Sequence, residues 1–179
     1  FSNNFSKKSN GTMVLRIEDI DFSRCKKKYT INIINDLKWL NFSYIRTQDQ
    51  SERIKKYNSA LSFLKEQKLI YPCWLSRVEA NKITSAPHNN LKTIRDTDLF
   101  LTTSEINDRK KKGFSPAWRI RMEKAVKISK NSNQNLSWFD IGFGEVELNA
   151  EKFGDIVIAR KDISTSYHLS VTLDDNEDG

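Results

Sequence analysis

The sequence predicts an α/β core interrupted by a smaller α+β insertion at about residues 73–153, with the chain returning to the core at 154–179. Three observations point there. An apolar run, Met13-Val14-Leu15, ends in Arg16-Ile17-Glu18-Asp19-Ile20-Asp21 and reads as a strand closing on one arginine and three carboxylates. Two stretches with helical spacing and a further short strand follow, a β-α-α-β order. Beyond residue 73 strand signals dominate, and 179 residues suffice for about one domain with a buried core.

The elements follow in order. Ser9-Asn10-Gly11 reads as a turn before the first strand. Residues 26–41 predict an amphipathic helix on Tyr29, Ile33, Leu37 and Leu40, with Asn41 as its stop. A second helix is expected from Ser51 to Lys68, with Ile54, Tyr57, Leu61 and Leu64 on one face. Leu69-Ile70-Tyr71 reads as a strand cut by Pro72. Ser76-Arg77-Val78-Glu79 and Thr102-Thr103-Ser104-Glu105 are capping-box patterns that start short helices, the second ending at Gly113. Polar residues 84–97 read as a loop. Ala117 to Met122 alternates like a strand, 138–141 and 145–148 flank two glycines as a hairpin, and 155–160 form a strand. Residues 167–173 fit either a strand or a buried helix. Trp39, Trp74, Trp118, Trp138, Phe63 and Phe153 sit at core-like positions, which favours packing over base stacking.

Composition narrows the function. With 30% charged and 37% hydrophobic residues, and no run near ~18 apolar residues, a soluble, non-membrane protein is expected. Two cysteines, Cys25 and Cys73, make no disulfide framework, so a cytoplasmic setting is expected. No signal-peptide pattern opens the chain, and a first residue of Phe1 suggests a fragment or processed form. A net charge of +7 suits a nucleic-acid partner or a lysine-rich solvated surface, and the tight basic runs at 26–28 and 110–112 decide neither. Cys73 has Leu75 two positions on, His88 as the nearest other candidate and Cys25 too remote in sequence, short of the three or four ligands that zinc needs. Metal ligands are therefore not assigned, and no Gly-x-Ser-x-Gly elbow or His-Glu-x-x-His helix occurs.

The candidate site is the acidic strand end. Like charges repel at that spacing, and in open α/β sheets ligands gather at the strands' carboxyl ends. Glu18 suits a ligand ammonium, with Arg16, Asp19 and Asp21 holding the geometry. The alternative is acids decorating the next helix's N-terminus, which suits Asp19 and Asp21 better than Glu18. Ser166-Tyr167-His168 is the second constellation: a ligand-orienting hydroxyl and a titrating imidazole, or an exposed strand end with a satisfied histidine. Asp174-Asp175 suits a cation, or a solvated acidic turn.

Four stretches in one order resemble the catalytic domain of the glutamyl-tRNA synthetases, and most closely the glutamyl-Q tRNA(Asp) synthetases. They are Val14 to Asp21 with Arg24; Gln50 to Arg53; Tyr71-Pro72-Cys73 with Ser76-Arg77; and Gly154 to Val157 through Arg160-Lys161-Asp162, Ser166 to Leu169 and Asp174-Asp175. The resemblance implies a Rossmann-type class I core, incomplete at both ends. It also implies activation of L-glutamate by ATP with Mg²⁺, and transfer of the glutamyl group to tRNA, in the glutamyl-Q branch to the queuosine base of tRNA(Asp). By motif, Glu18 contacts the substrate amine and Tyr167 is a second contact. A monomer is expected. The family's two nucleotide signatures would lie before Phe1 and after Gly179, so these 179 residues alone are expected to be inactive in ATP–pyrophosphate exchange. The arginine that meets the substrate carboxylate shortly after the paired aspartates is absent. The Cys-x-Cys zinc pair of many relatives has Leu75 in second place, which makes zinc doubtful. The rival readings are an ordinary glutamyl-tRNA synthetase and an inactive basic RNA-binding remnant.

Overall fold

The computed structural model describes residues 1–84, 101–131 and 136–178. It is a mixed helix and sheet protein. In chain order it has α1 (Ser2–Lys8), β1 (Val14–Leu15), α2 (Lys27–Trp39), β2 (Ile45–Arg46), a 3-10 turn (Gln50–Arg53), α3 (Ile54–Glu66), β3 (Ile70–Cys73) and α4 (Arg77–Thr84). Then come α5 (Thr103–Lys111), β4 (Ala117–Ile120), α6 (Met122–Asn131), β5 (Ser137–Asp140), β6 (Gly144–Glu147), a second 3-10 turn (Ala150–Phe153), β7 (Val157–Ala159) and α7 (Tyr167–Asp178). Of the loop expected over 84–97, Thr84 ends α4, and the rest, with His88, lies outside the described residues.

The chain divides into two compact units, Phe1–Ser59 with Tyr167–Gly179, and Ala60–Ser166. In the first, β1 and β2 pair in parallel, Val14 opposite Ile45 and Leu15 opposite Arg46. The Thr47 amide donates to the Leu15 carbonyl and the Gln50 amide to the Ile17 carbonyl, both at 3.0 Å, so the pairing continues past the strands into the candidate site. In the second, β3, β4 and β7 form an antiparallel sheet in that order, and β5–β6 form the expected hairpin. The Asp140 carboxylate closes its turn, accepting from the Gly142 and Phe143 amides.

The expected face of α3 is present: Tyr57 and Leu61 are buried, with Ile54 and Leu64 partly so. That of α2 is rotated. Tyr29, Ile33 and Leu40 are exposed, and the less exposed positions are Thr30, Ile34 and Leu37, also at helical spacing. Asn41 ends the helix as expected, at φ +53°. Both capping boxes form. The Glu79 carboxylate accepts from the Ser76 amide at 2.5 Å and the Ser76 hydroxyl from the Glu79 amide at 3.1 Å; Thr102 and Glu105 reciprocate in the same way.

Several expectations are corrected. The strand expected to stop at Pro72 runs through it to Cys73, because β3 is an edge strand, where a residue without an N–H is tolerated. The strand expected over 117–122 ends at Ile120, and Met122 begins α6. Residues 167–173 are helical and belong to α7, so Asp174 and Asp175 are on a helix rather than a turn. Trp39, Phe63, Trp138 and Phe153 are exposed, while Trp74 and Trp118 are partly buried.

Candidate functional site

Beyond β1 the side chains of Arg16, Ile17 and Glu18 part company. Ile17 is buried, Arg16 is mostly covered, and Glu18 is exposed. Asp19 is spent on structure: its carboxylate accepts from the backbone amide and the hydroxyl of Ser51, each at 2.8 Å, tying the strand end to the first 3-10 turn. Asp21 holds a local turn. Its carboxylate accepts from the Ser23 hydroxyl at 2.6 Å and its carbonyl from the Arg24 and Cys25 amides. Neither aspartate decorates the start of α2, which begins at Lys27 with no acid in its first turn, though Asp19 does satisfy an amide at the start of the 3-10 turn before α3. Glu18 is thus the exposed carboxylate of the run.

Glu18 lines two hollows. One, of about 300 Å³, is bounded by Val14, Arg16, Glu18, Asp175 and Asp178. There one guanidinium faces three carboxylates, so the lining is formally negative by two and suits a cationic guest. The other, about 410 Å³, has Glu18 and Asp19 beside Arg24, Lys26 and Tyr29. Tyr167 lines neither hollow. It is the exposed first residue of α7, with its ring edge-on to the His168 ring at 5.9 Å.

Arg16 joins the strand end to α7. Its guanidinium donates to Asp175 at 2.7 Å, to Glu18 at 3.2 Å and to Asp178 at 3.4 Å. Burial works against its charge, but these three acids outweigh it and hold its pKa above the ordinary value. Deeper in, Asp174 is fully buried. It accepts from the Tyr57 hydroxyl at 2.7 Å, the Gln50 amide nitrogen at 2.9 Å and the Arg53 guanidinium at 3.1 Å. Arg53 also reaches Asp178 at 2.8 Å, and that bond chiefly keeps the guanidinium charged. Burial pushes the Asp178 carboxyl up, but Arg53 and Arg16 prevail and leave it below its usual value. Burial first, and then the Asp174 charge, raise the Tyr57 hydroxyl, so it stays a donor.

Gln50, Arg53 and Tyr57 were not site candidates on sequence, and Asp174 was weighed only as half of a cation-binding or solvated pair. Tyr57 reads as one more apolar face position. Once 167–178 is helical, Asp174 falls one turn after Ser170 on the buried side.

The second unit contributes a different cluster. Cys73 and Leu75 are buried together with Ala80 and Leu101. Leu75 therefore fills with hydrocarbon the place where a second zinc ligand would stand, and these residues do not suit the metal. Nearby, Arg109 grips both oxygens of Glu79, at 2.7 and 3.1 Å, and donates to the Trp74 carbonyl at 2.7 Å. The Arg109 guanidinium, with help from the Ser76 cap, pulls Glu79 down to about 2. Asp155 is structural: its carboxylate accepts from the Met122 amide at 2.9 Å and so caps α6. Among the described residues no group of three or more His, Cys, Asp or Glu side chains is placed to hold a metal ion, and no helix is long and apolar enough to cross a membrane.

The family model for class I (E and Q) tRNA synthetases, catalytic domain, matches residues 1–179. The chain belongs to this family. Its curated relatives include the glutamyl-Q tRNA(Asp) synthetase of Rhodobacter capsulatus, 30% identical over 99% of this chain and 66% of the relative. They also include glutamate–tRNA ligase 1 of Maricaulis maris, 33% identical over 97% of this chain and 37% of the relative. The chain thus spans between about a third and two thirds of the length of these synthetases. Among solved structures, the glutamate–tRNA synthetase of Elizabethkingia anophelis has the same fold, with a TM-score of 0.69 over 98% of this chain and 38% of that one, at 20% identity.

Proposed function

We propose that this chain is the amino-acid-binding part of an ATP-dependent ligase that activates L-glutamate and passes the glutamyl group to a tRNA. Its Rossmann-type core is interrupted by the insertion at 73–153. Glu18 accepts the substrate ammonium in the negative hollow, where a charge-assisted hydrogen bond is strong because neighbouring walls exclude part of the water. Arg16 keeps that carboxylate from swinging away, Asp19 and Asp21 fix the loop that presents it, and Tyr167, outside that hollow, is the second contact that the family motif implies. ATP, with Mg²⁺, supplies the phosphoanhydride that is broken. The chain's own share is placement and charge, which is how an acyl transfer without a protein nucleophile gains most of its rate.

The observation that carries this reading is Glu18: an exposed acid on a negative hollow, in a chain that its family model matches from end to end. The acceptor is the queuosine base of tRNA(Asp) in the first reading, supported by the Rhodobacter relative, of which the chain covers 66%. Acceptor-end charging of tRNA(Glu) is the second, supported by the higher identity of the Maricaulis ligase, 33%. Glutamate-dependent ATP–pyrophosphate exchange by the full-length protein tests the activation step. Glu18→Gln is expected to raise KM for glutamate at least ~10-fold with KM for ATP little changed; unaltered kinetics remove Glu18 from the site. Incubation with labelled glutamate and each purified tRNA then separates the acceptors.

A further inference from the structure

We infer that Asp174 is a positioning residue, one that sets helix α7, and with it Tyr167, against the strand end that presents Glu18. The inference rests on the glutamate-activating reading above and deepens it. Asp174 has no exposed surface, yet five polar side chains converge on it. Tyr57, Gln50 and Arg53 donate hydrogen bonds to it, Lys56 stands at 3.6 Å and Arg16 at 3.9 Å. These donors come from the end of β1 and from the 3-10 turn and first turns of α3, more than a hundred residues away in sequence.

The same groups reach the candidate site. Arg16 bonds Glu18 as well as Asp175 and Asp178, and the backbone amide of Gln50, whose side chain holds Asp174, donates to the Ile17 carbonyl beside Glu18. One buried carboxylate therefore references both the rotation of α7 and the height of the strand end. An apolar contact would hold the helix equally firmly but would let it slide by a fraction of an ångström. Oriented hydrogen bonds to a desolvated charge do not, because each lost bond leaves a buried group unpartnered. Tyr167 is seven residues up the same helix, about 10 Å along its axis, so a small rotation at Asp174 reaches it intact. Displacements of about 1 Å in substrate-aligning groups are worth up to ~100-fold in rate.

Two variants of the full-length protein test this by ATP–pyrophosphate exchange. Asp174→Asn keeps the shape and removes the charge. Tyr57→Phe keeps the packing and removes one donor, so it decides the matter if the first variant does not fold. Expected are a rise in KM for glutamate of about tenfold for Asp174→Asn and about threefold for Tyr57→Phe, with KM for ATP unmoved in protein whose near-ultraviolet dichroism is native. A purely structural role predicts a lower melting temperature with both KM values unchanged, and that result overturns the inference, as does an equal rise in both. If the unaltered protein activates no glutamate, the functional reading fails and the inference falls with it. If it is active and both variants match it, the inference alone fails.

Discussion

In the unit formed by Phe1–Ser59 and Tyr167–Gly179, a buried carboxylate is ringed by donors from distant parts of the chain. In the unit Ala60–Ser166, the junction of β3 and α4 buries Cys73, Leu75, Ala80 and Leu101, and its strong ion pair, Glu79 with Arg109, stays nearer the rim. The two arrangements respond differently to damage. Burying hydrocarbon releases free energy in proportion to area and is tolerant of direction. Burying charge yields little net stability, but a charge left alone is severely penalised, so it enforces one geometry. The first unit is thus the one whose buried contacts enforce a single geometry.

This contrast sets an order of effects. Asp174→Ala is expected to cost about 3–5 kcal/mol, because Arg53, Gln50 and Tyr57 are left facing an empty buried space; a change below ~1 kcal/mol in urea unfolding would mean that water replaces the carboxylate. Leu75→Ala is expected to cost about 2–5 kcal/mol through lost contact and a residual cavity, without altering KM for glutamate. A shift in that KM would blur the distinction between the units. Thr102→Ala removes the cap of α5 and is expected to cost about 1 kcal/mol, read as earlier amide exchange in the first turn of that helix.

Acid gives the smallest effect. Glu79 is depressed from 4.5 to about 2 by Arg109 and the Ser76 cap, so its contribution is complete above pH 4.5 and is lost as pH falls toward about 2. Its side chain is 40% exposed, so solvent screening keeps the contribution modest. Asp178 is also depressed, burial being outweighed by Arg53 and Arg16, so the same sign applies. Acid titration of Glu79→Gln and of Asp178→Asn should each show a flatter loss of stability below pH 4.5 than the unaltered protein. An unchanged slope in either variant would mean that its carboxylate contributes nothing to folding.

Local patterns foretold the local features. Both capping boxes, the hairpin turn, the inner face of α3 and the stop at Asn41 depend on residues within four positions of one another. The face of α2 was misjudged because Tyr29, Ile33 and Leu37 satisfy helical spacing as well as Thr30, Ile34 and Leu37 do, and only the tertiary partner chooses between them. Helix α6 escaped notice because its cap, Asp155, is 33 residues downstream of the amide it satisfies. β1 was visible from its apolar run, whereas β2, two residues long, has no period to detect. At the candidate site, the exposure of Glu18 could be anticipated because it is a property of one residue. The part played by Asp174 could not, because each donor that makes it more than an acidic surface residue is remote in sequence.

Pro72 has an outcome beyond its own strand. β3 is at the margin of its sheet, and a strand there is open to recruiting another molecule's backbone. A ring in place of an amide hydrogen, four residues from end to end, and a proline side chain turned to solvent make that margin a poor template. Replacing Pro72 with valine would leave the sheet's order unchanged while opening a route to intermolecular β-pairing in concentrated solution.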